Sequence, residues 1–172
     1  MKLSKKTWQR YLATMLAAVL LGGFWLMLDG SPASAQERTV NYTLTDLQYR
    51  NFANADLEGT SLAGAEMRGA DFHGANLKRT ILTKGSFFKA DLSGADLTDT
   101  FADRVTFDKA DLTDAIFTDG ILSSSSFVEA EITGADFSGA LVDRYQVKLM
   151  CQVAEGVNSV TGVSTRDSLD CP

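Results

Sequence analysis

Histidine, cysteine and tryptophan are nearly missing from this chain: one His, two Cys and two Trp in 172 residues. Each scarcity removes a class of chemistry. His73 stands alone, so the serines at 123 to 126 have no imidazole to activate them, and no nucleophile–base pair can be assembled. A solvated residue at a turn beside Asp71 is the reading His73 supports. Two thiols and one distant imidazole do not make a zinc ligand set. Phosphate-cradling loops, Rossmann glycines and zinc spacings are missing too. No enzyme chemistry, cofactor or metal site is expected.

Positive charge is also in short supply, with 16 Lys and Arg against 22 Asp and Glu. Long apolar runs are limited to one, Tyr11 to Leu28. It follows a basic start (Lys2, Lys5, Lys6, Arg10) and ends at Asp29, Gly30 and Pro32. Ala33-Ser34-Ala35 then supplies the small-x-small pattern of signal peptidase, so residues 1–35 read as a signal peptide cut before Gln36. An uncleaved membrane anchor is the alternative, the run being near spanning length. Cleavage removes both tryptophans, four basic residues and one acid, leaving 12 basic against 21 acidic residues. A mature chain this acidic is a poor binder of nucleic acid or anionic membrane through charge.

What the sequence holds in abundance is one unit of five residues. Ala90-Asp91-Leu92-Ser93-Gly94-Ala95-Asp96-Leu97 shows it: small, acid, large apolar, then two polar or small residues. From Leu47 to Val142 every fifth residue is large and apolar, with Ala102 the exception. A helix repeats at 3.6 residues and a strand at 2, and neither keeps a period of five on one side. The core stays inside only if the chain turns a corner once per unit. Four corners close a square coil of about twenty residues, and stacked coils pair backbone to backbone at ~4.8 Å. The two residues after the large one make the turn, which accounts for Gly59, Gly64, Gly69, Gly74, Gly94, Gly134 and Gly139.

This pattern resembles the pentapeptide-repeat family, A(D/N)LXX. The resemblance implies an all-β solenoid, a right-handed quadrilateral β-helix of about five coils over residues 36–144, with Gln36 to Asn41 covering the first coil. Beyond Arg144 the period stops. Asp143 to Glu155 reads as an amphipathic helix closed by Gly156. Ser164-Thr165-Arg166-Asp167 resembles a capping box that opens a second helix ending near Leu169. Residues 145–172 are thus expected to form a short helical cap. Cys151 and Cys171 both lie there, and in an exported protein the pair reads as a disulfide, with a free thiol or metal site as the lesser alternative. The ending from Val160 to Cys171 is similar to that of lumenal pentapeptide-repeat proteins of thylakoids, which implies thylakoid lumen or periplasm.

Residues twenty apart share a face, so surface columns follow from the numbering. The outward position before the large residue carries Ser61, Ile81, Phe101, Ile121 and Leu141 on one face. Beside it run Lys84, Arg104, Ser124 and Arg144. This apolar ladder next to a basic one predicts docking of a protein partner or a second copy. The plainer alternative is that the C-terminal segment folds back over it, or that the residues are merely tolerated. A neighbouring face stacks Asn51, Asp71, Asp91, Asp111 and Glu131. Those groups are expected to accept backbone hydrogen bonds at the corners, with a divalent-cation ladder as the alternative. The unit around Ala102, flanked by large Phe101 and Val105, predicts a bulge or a volume swap. The expected function is a non-enzymatic structural or interaction module. A stress- or cation-related binding protein is second, and a DNA-mimicking inhibitor, disfavoured by export, is third.

Overall fold

The structure, a computed structural model, describes residues 40–172. The export segment expected over 1–35 and most of the expected lead-in lie outside the described residues.

Among the described residues the repeat is held by parallel bridges between single residues twenty apart. On side I they join Asn41, Ser61, Ile81, Phe101, Ile121 and Leu141 in succession. Side II joins Asp46, Glu66, Ser86, Thr106 and Ser126. Side III joins Asn51, Asp71, Asp91, Asp111 and Glu131, and side IV joins Asp56, Asn76, Asp96, Ile116 and Asp136. Each side offers one paired residue per rung rather than an extended strand, because the next corner arrives after five residues.

The backbone donors show why five residues suffice. The N–H of each large residue donates nineteen residues ahead, as Leu62 does to Ile81 (2.8 Å). The residue before it donates twenty-one back, as Ile81 does to Thr60 (3.1 Å). The second residue after it donates up the stack, as Gly64 does to Thr83 (2.8 Å), and the small residue closes the turn, as Ala65 does to Leu62 (3.0 Å). That leaves one N–H per unit, on the residue just after the large one. On side III it goes to the acid two residues earlier: His73 to Asp71 Oδ1 (3.0 Å), Ser93 to Asp91 Oδ1 (2.9 Å), Thr113 to Asp111 Oδ1 (2.9 Å). The acid of the repeat is therefore a structural acceptor, the Asx turn that makes Asp and Asn corner residues.

A turn closed between the large and the small residue, with positive φ at its third position, is type II and favours glycine there. Lys89 (φ 59°) and Asp99 (φ 58°) accept the same conformation without being glycine. The ladder on both sides over-determines it, so local strain is tolerated.

Inside, the large residues stack by side. Phe87, Phe107 and Phe127 lie at 5.4 and 5.1 Å between ring centroids, and Phe117 lies 5.0 Å from Phe137. Offset stacks of this kind add to the burial of the rings themselves. The alanines at 70, 75, 90, 95, 110, 115 and 135 are all buried, which is where the corners approach the axis.

The Ala102 unit has no bulge and follows the volume-swap alternative, with small Ala102 and large Val105 both buried. The ladder runs through it unbroken, Ala102 N–H donating to Ile121 (2.8 Å). The change is in the turn: Val105 N–H donates to Ser125 Oγ (2.8 Å), and that hydroxyl donates to Ala102 C=O (2.5 Å). A buried serine from the next rung is spliced into the bond that closes the other turns. Val105, too large for the usual small position, is thereby accommodated and fully buried.

After Leu141 the chain leaves the ladder. Helix α1 spans Arg144–Met150 and helix α2 spans Thr165–Ser168. The first is shorter than the expected helix over 143–155. The N–H groups of Gln152 and Val153 bond only three residues back, to Leu149 and Met150, tightening the chain into a turn. The turn delivers Glu155 C=O to the N–H of Gly134 (2.9 Å) and buries Ala154. Gly156 follows at φ +81°, where a Cβ would stand 2.8 Å from the Gly134 nitrogen, so a side chain there has no room. Helix α2 begins as expected, Ser164 Oγ accepting from Asp167 N–H (3.1 Å). Cys151 and Cys171 are disulfide-bonded.

Candidate functional site

The register settles where the expected site residues stand. Ile81, Phe101, Ile121 and Leu141 form one bridged column on side I, and they are 46, 44, 36 and 60% exposed. The only other large apolar residue at this outward position, Ile116 on side IV, is 8% exposed. The C-terminal segment does not fold back over the column. It packs instead against the last rungs through Asp114, Ile132, Gly134 and Phe137, so covering by that segment is ruled out as the reason for the apolar residues. Their position at the centre of each rung, flanked by turns, holds them a fixed ~4.8 Å apart.

Lys84 and Arg104 stand exposed along the edge that follows this column. Arg104 Nε donates to Asp103 Oδ2 (2.7 Å), which leaves the outer guanidinium nitrogens free of partners among the described residues. Arg144 continues the numbering but not the ladder. It opens α1 and lines a depression with Val142, Val147 and Asp170.

The opposite edge of side I was not singled out by the sequence reading. It carries Arg79, Asp99 and Asp119, all exposed at turn positions just ahead of the column. Arg79 is paired with Glu58 of the neighbouring unit. Asp99 and Asp119 are in no salt bridge among the described residues. The signal was available: the twenty-residue register read at the position two residues before each apolar one gives this column. Side I is thus apolar along its middle, basic along one edge and acidic along the other.

On sides III and IV the outward acids and amides are committed to the fold. The side III acids hold backbone N–H groups, and Glu131 holds the N–H of Thr133 (3.2 Å). On side IV, Asp96 takes Thr98 N–H (3.0 Å) and hydroxyl (2.6 Å) and pairs with Lys78 (2.9 Å). Burial pushes the Asp96 carboxyl upward, but the Thr98 and Lys78 bonds outweigh it and hold it below the ordinary carboxylate value. Asp136 is lowered in the same way, its burial outweighed by Ser138 and Thr161. His73 is exposed, its ring Nδ1 2.9 Å from Ser93 Oγ. Carboxylates spent on local donors make a weak cation ladder, since each ligand would have to exchange one bond for another.

The family described as pentapeptide repeats matches the chain in eight copies, over residues 45–84, 86–123 and 107–141. A pentapeptide repeat protein from the thylakoid lumen of Arabidopsis thaliana, known from its crystal structure, is similar at 33% identity with a TM-score of 0.74, covering 76% of this chain and 90% of its own. HetL, a pentapeptide repeat protein involved in heterocyst differentiation regulation in Nostoc sp. strain PCC 7120, is similar at 22% identity with a TM-score of 0.44, over 56% of this chain and 59% of HetL. A further Nostoc pentapeptide repeat protein is similar at 20% identity with a TM-score of 0.47, over 68% of this chain and 84% of its own. No curated protein matches.

Proposed function

Because this chain belongs to the pentapeptide-repeat family, we propose that it is an exported, non-enzymatic interaction module that docks a protein on side I. The right-handed quadrilateral β-helix expected from the repeat is the fold of that family. In this reading the body is about five coils long and residues 145–172 close its end. One observation carries the docking surface: the twenty-residue register puts four large, exposed apolar residues in a single column and none elsewhere at that position is exposed. Chance scatter of tolerated residues would not select one side of four. An exposed contiguous apolar patch is costly in solution and marks an interaction surface.

Export is supported by the Ala33-Ser34-Ala35 pattern and by the lumenal relative at 33% identity. The compartment is then the thylakoid lumen or a periplasm. The non-enzymatic reading is supported by the lone histidine and by the side III and side IV carboxylates, which local donors engage.

A photo-crosslinking residue placed at Phe101, and in parallel at Asp91 on side III, tests this in the native compartment. The Phe101 position is expected to capture protein and the Asp91 position to stay uncoupled. Equal capture at both, or none at Phe101, overturns side I as the docking surface.

A further inference from the structure

Within that docking reading, on which this step rests, we infer that the occupant of side I is a second copy of the same chain, set face to face about a two-fold axis parallel to the solenoid. Three features point to it.

The first is pitch. The column of Ile81, Phe101, Ile121 and Leu141 repeats at the rung spacing of ~4.8 Å. An extended strand laid along it repeats its same-side residues at about 6.6–6.8 Å, and slips out of register within two rungs. A helix turns once per 5.4 Å, which is closer, and lags by about 2 Å over three rungs. Another copy of this ladder has the same spacing and stays in register over the whole column.

The second is charge. A two-fold axis parallel to the solenoid lays the basic edge of one copy over the acidic edge of the other. Arg104 then faces the partner's Asp99 at nearly the same height, and Ser124 faces the partner's Asp119. Lys84 meets the partner's Arg79, whose charge is already answered by Glu58. The antiparallel alternative brings each edge against its own kind, with Asp99 over the partner's Asp119 in both halves. The parallel pair gains the Arg104–Asp99 contact in both halves and avoids setting Asp99 against Asp119, which favours it over the antiparallel one.

The third is hydrogen bonding. Ile81, Phe101 and Ile121 cannot take the corner N–H that Asp71 or Asp91 takes on side III. The N–H groups of Thr83, Asp103 and Ser123 accordingly meet no acceptor among the described residues. Thr83, Asp103 and Ser123 are half-buried residues that fall in the chain between the apolar column and the basic edge. Side II also has corners whose N–H meets no acceptor, at Arg68, Phe88 and Asp108, but its bridged column of Asp46, Glu66, Ser86, Thr106 and Ser126 is polar throughout, with apolar Phe88 and Val128 only at separate corners. On side I the carboxylates of the other copy's Asp99 and Asp119 arrive beside the donors of Asp103 and Ser123, while Thr83 lies at the level of the partner's Arg79.

The area sets the strength. Five rungs at ~4.8 Å stand about 24 Å tall, and a side of five residues, at most about 17 Å wide in backbone and wider with side chains, offers on the order of 500 Å² per copy. Roughly 1,000 Å² in total lies at the small end of specific interfaces, where complexes are weak and transient. Dimerisation is therefore expected in the micromolar range or weaker.

Sedimentation equilibrium of the protein purified from its native compartment, over a range of about 1–500 μM, tests this. A monomer–dimer equilibrium is expected, and Phe101→Ser should weaken it at least tenfold. Asp99→Arg should weaken it as well, and Asp99→Arg combined with Arg104→Asp should restore it. All three changes lie at exposed positions, and retention of the unfolding transition shows that each variant folds. A monomer at every concentration, a dimer indifferent to Phe101→Ser, or a dimer tightened by Asp99→Arg overturns the parallel self-pairing. If the monomer result coincides with capture of a different protein at Phe101, the second copy is excluded while side I remains a docking surface.

Discussion

The body of the repeat and the segment that follows it solve one problem in opposite ways. Within the body, a backbone donor finds its acceptor because an identical rung lies above it. At the last rung no identical rung exists, and individual groups take its place. Ser124 N–H, which would look for a carbonyl at 143, bonds the Asp143 carboxylate instead (2.9 Å). Phe127 N–H reaches Gln146 Oε1 (3.4 Å), and Phe137 N–H reaches Ser168 Oγ (3.0 Å). Asn158, fully buried, donates to the carbonyls of Asp114 and Gly134 (3.0 and 2.9 Å) while its Oδ1 accepts from Val160 and Thr161. The lesson is that repetition supplies stability with little information per residue, whereas stopping it demands specific side chains. An unterminated edge of paired backbone invites association with other chains, and these side-chain bonds occupy donors that such an edge would leave open.

The comparison breaks most clearly in the body's core. Phe117→Ala removes a fully buried ring from the stack with Phe137 and its edge contacts with Phe107 and Phe127. A loss of about 3–5 kcal/mol is expected, read from denaturant unfolding. Because rungs depend on their neighbours, amide exchange should accelerate on both sides of the site. In the terminal segment, Asn158→Ala strands one buried and one part-buried carbonyl and two N–H groups, and a loss of about 2–3 kcal/mol is expected. Here exchange should accelerate at Gly134 and Phe137 while Leu62 and Leu82 stay protected; equal acceleration throughout would show that the two regions unfold as one.

The smallest effect concerns acid. Asp96 and Asp136 have carboxyls held below their unfolded value of about 3.9. Groups lowered in the folded state contribute stability that is fully present above the unfolded value and is lost as pH falls through the folded one. Melting temperature should thus be flat above about pH 5 and decline below about pH 4. Asp136→Asn, which keeps a side-chain acceptor for Ser138 N–H, should flatten that decline in part. An unchanged acid limb would assign the decline to other carboxylates.

The periodic half was legible because its period fits neither helix nor strand, so one geometric solution remained and the columns followed by counting. Phe101 above Ile81 could be known from numbers alone. Asn158 could not be read in the same way. Its neighbours Val160 to Gly162 suggest a turn, but nothing in the sequence says that the amide reaches 24 and 44 residues back to Gly134 and Asp114. Ser125 was similarly silent, being one of four consecutive serines of which only it enters the core. The overlong reading of α1 has a related cause. Leu149 and Val153 keep a helical spacing, yet the need to deliver Glu155 to Gly134 turns the chain before the pattern ends.

Because four quintets make one circuit, the molecule can change length only in particular ways without changing its outside. Duplicating a single quintet between Ile81 and Phe101 would leave each interior position apolar and each corner intact. It would also swing all later residues by a quarter circuit, moving Phe101, Ile121 and Leu141 onto a different wall from Ile81. Growth by twenty preserves the arrangement, and growth by five scrambles it while the protein still folds. Length variation in such a chain is therefore a mutation of surface address.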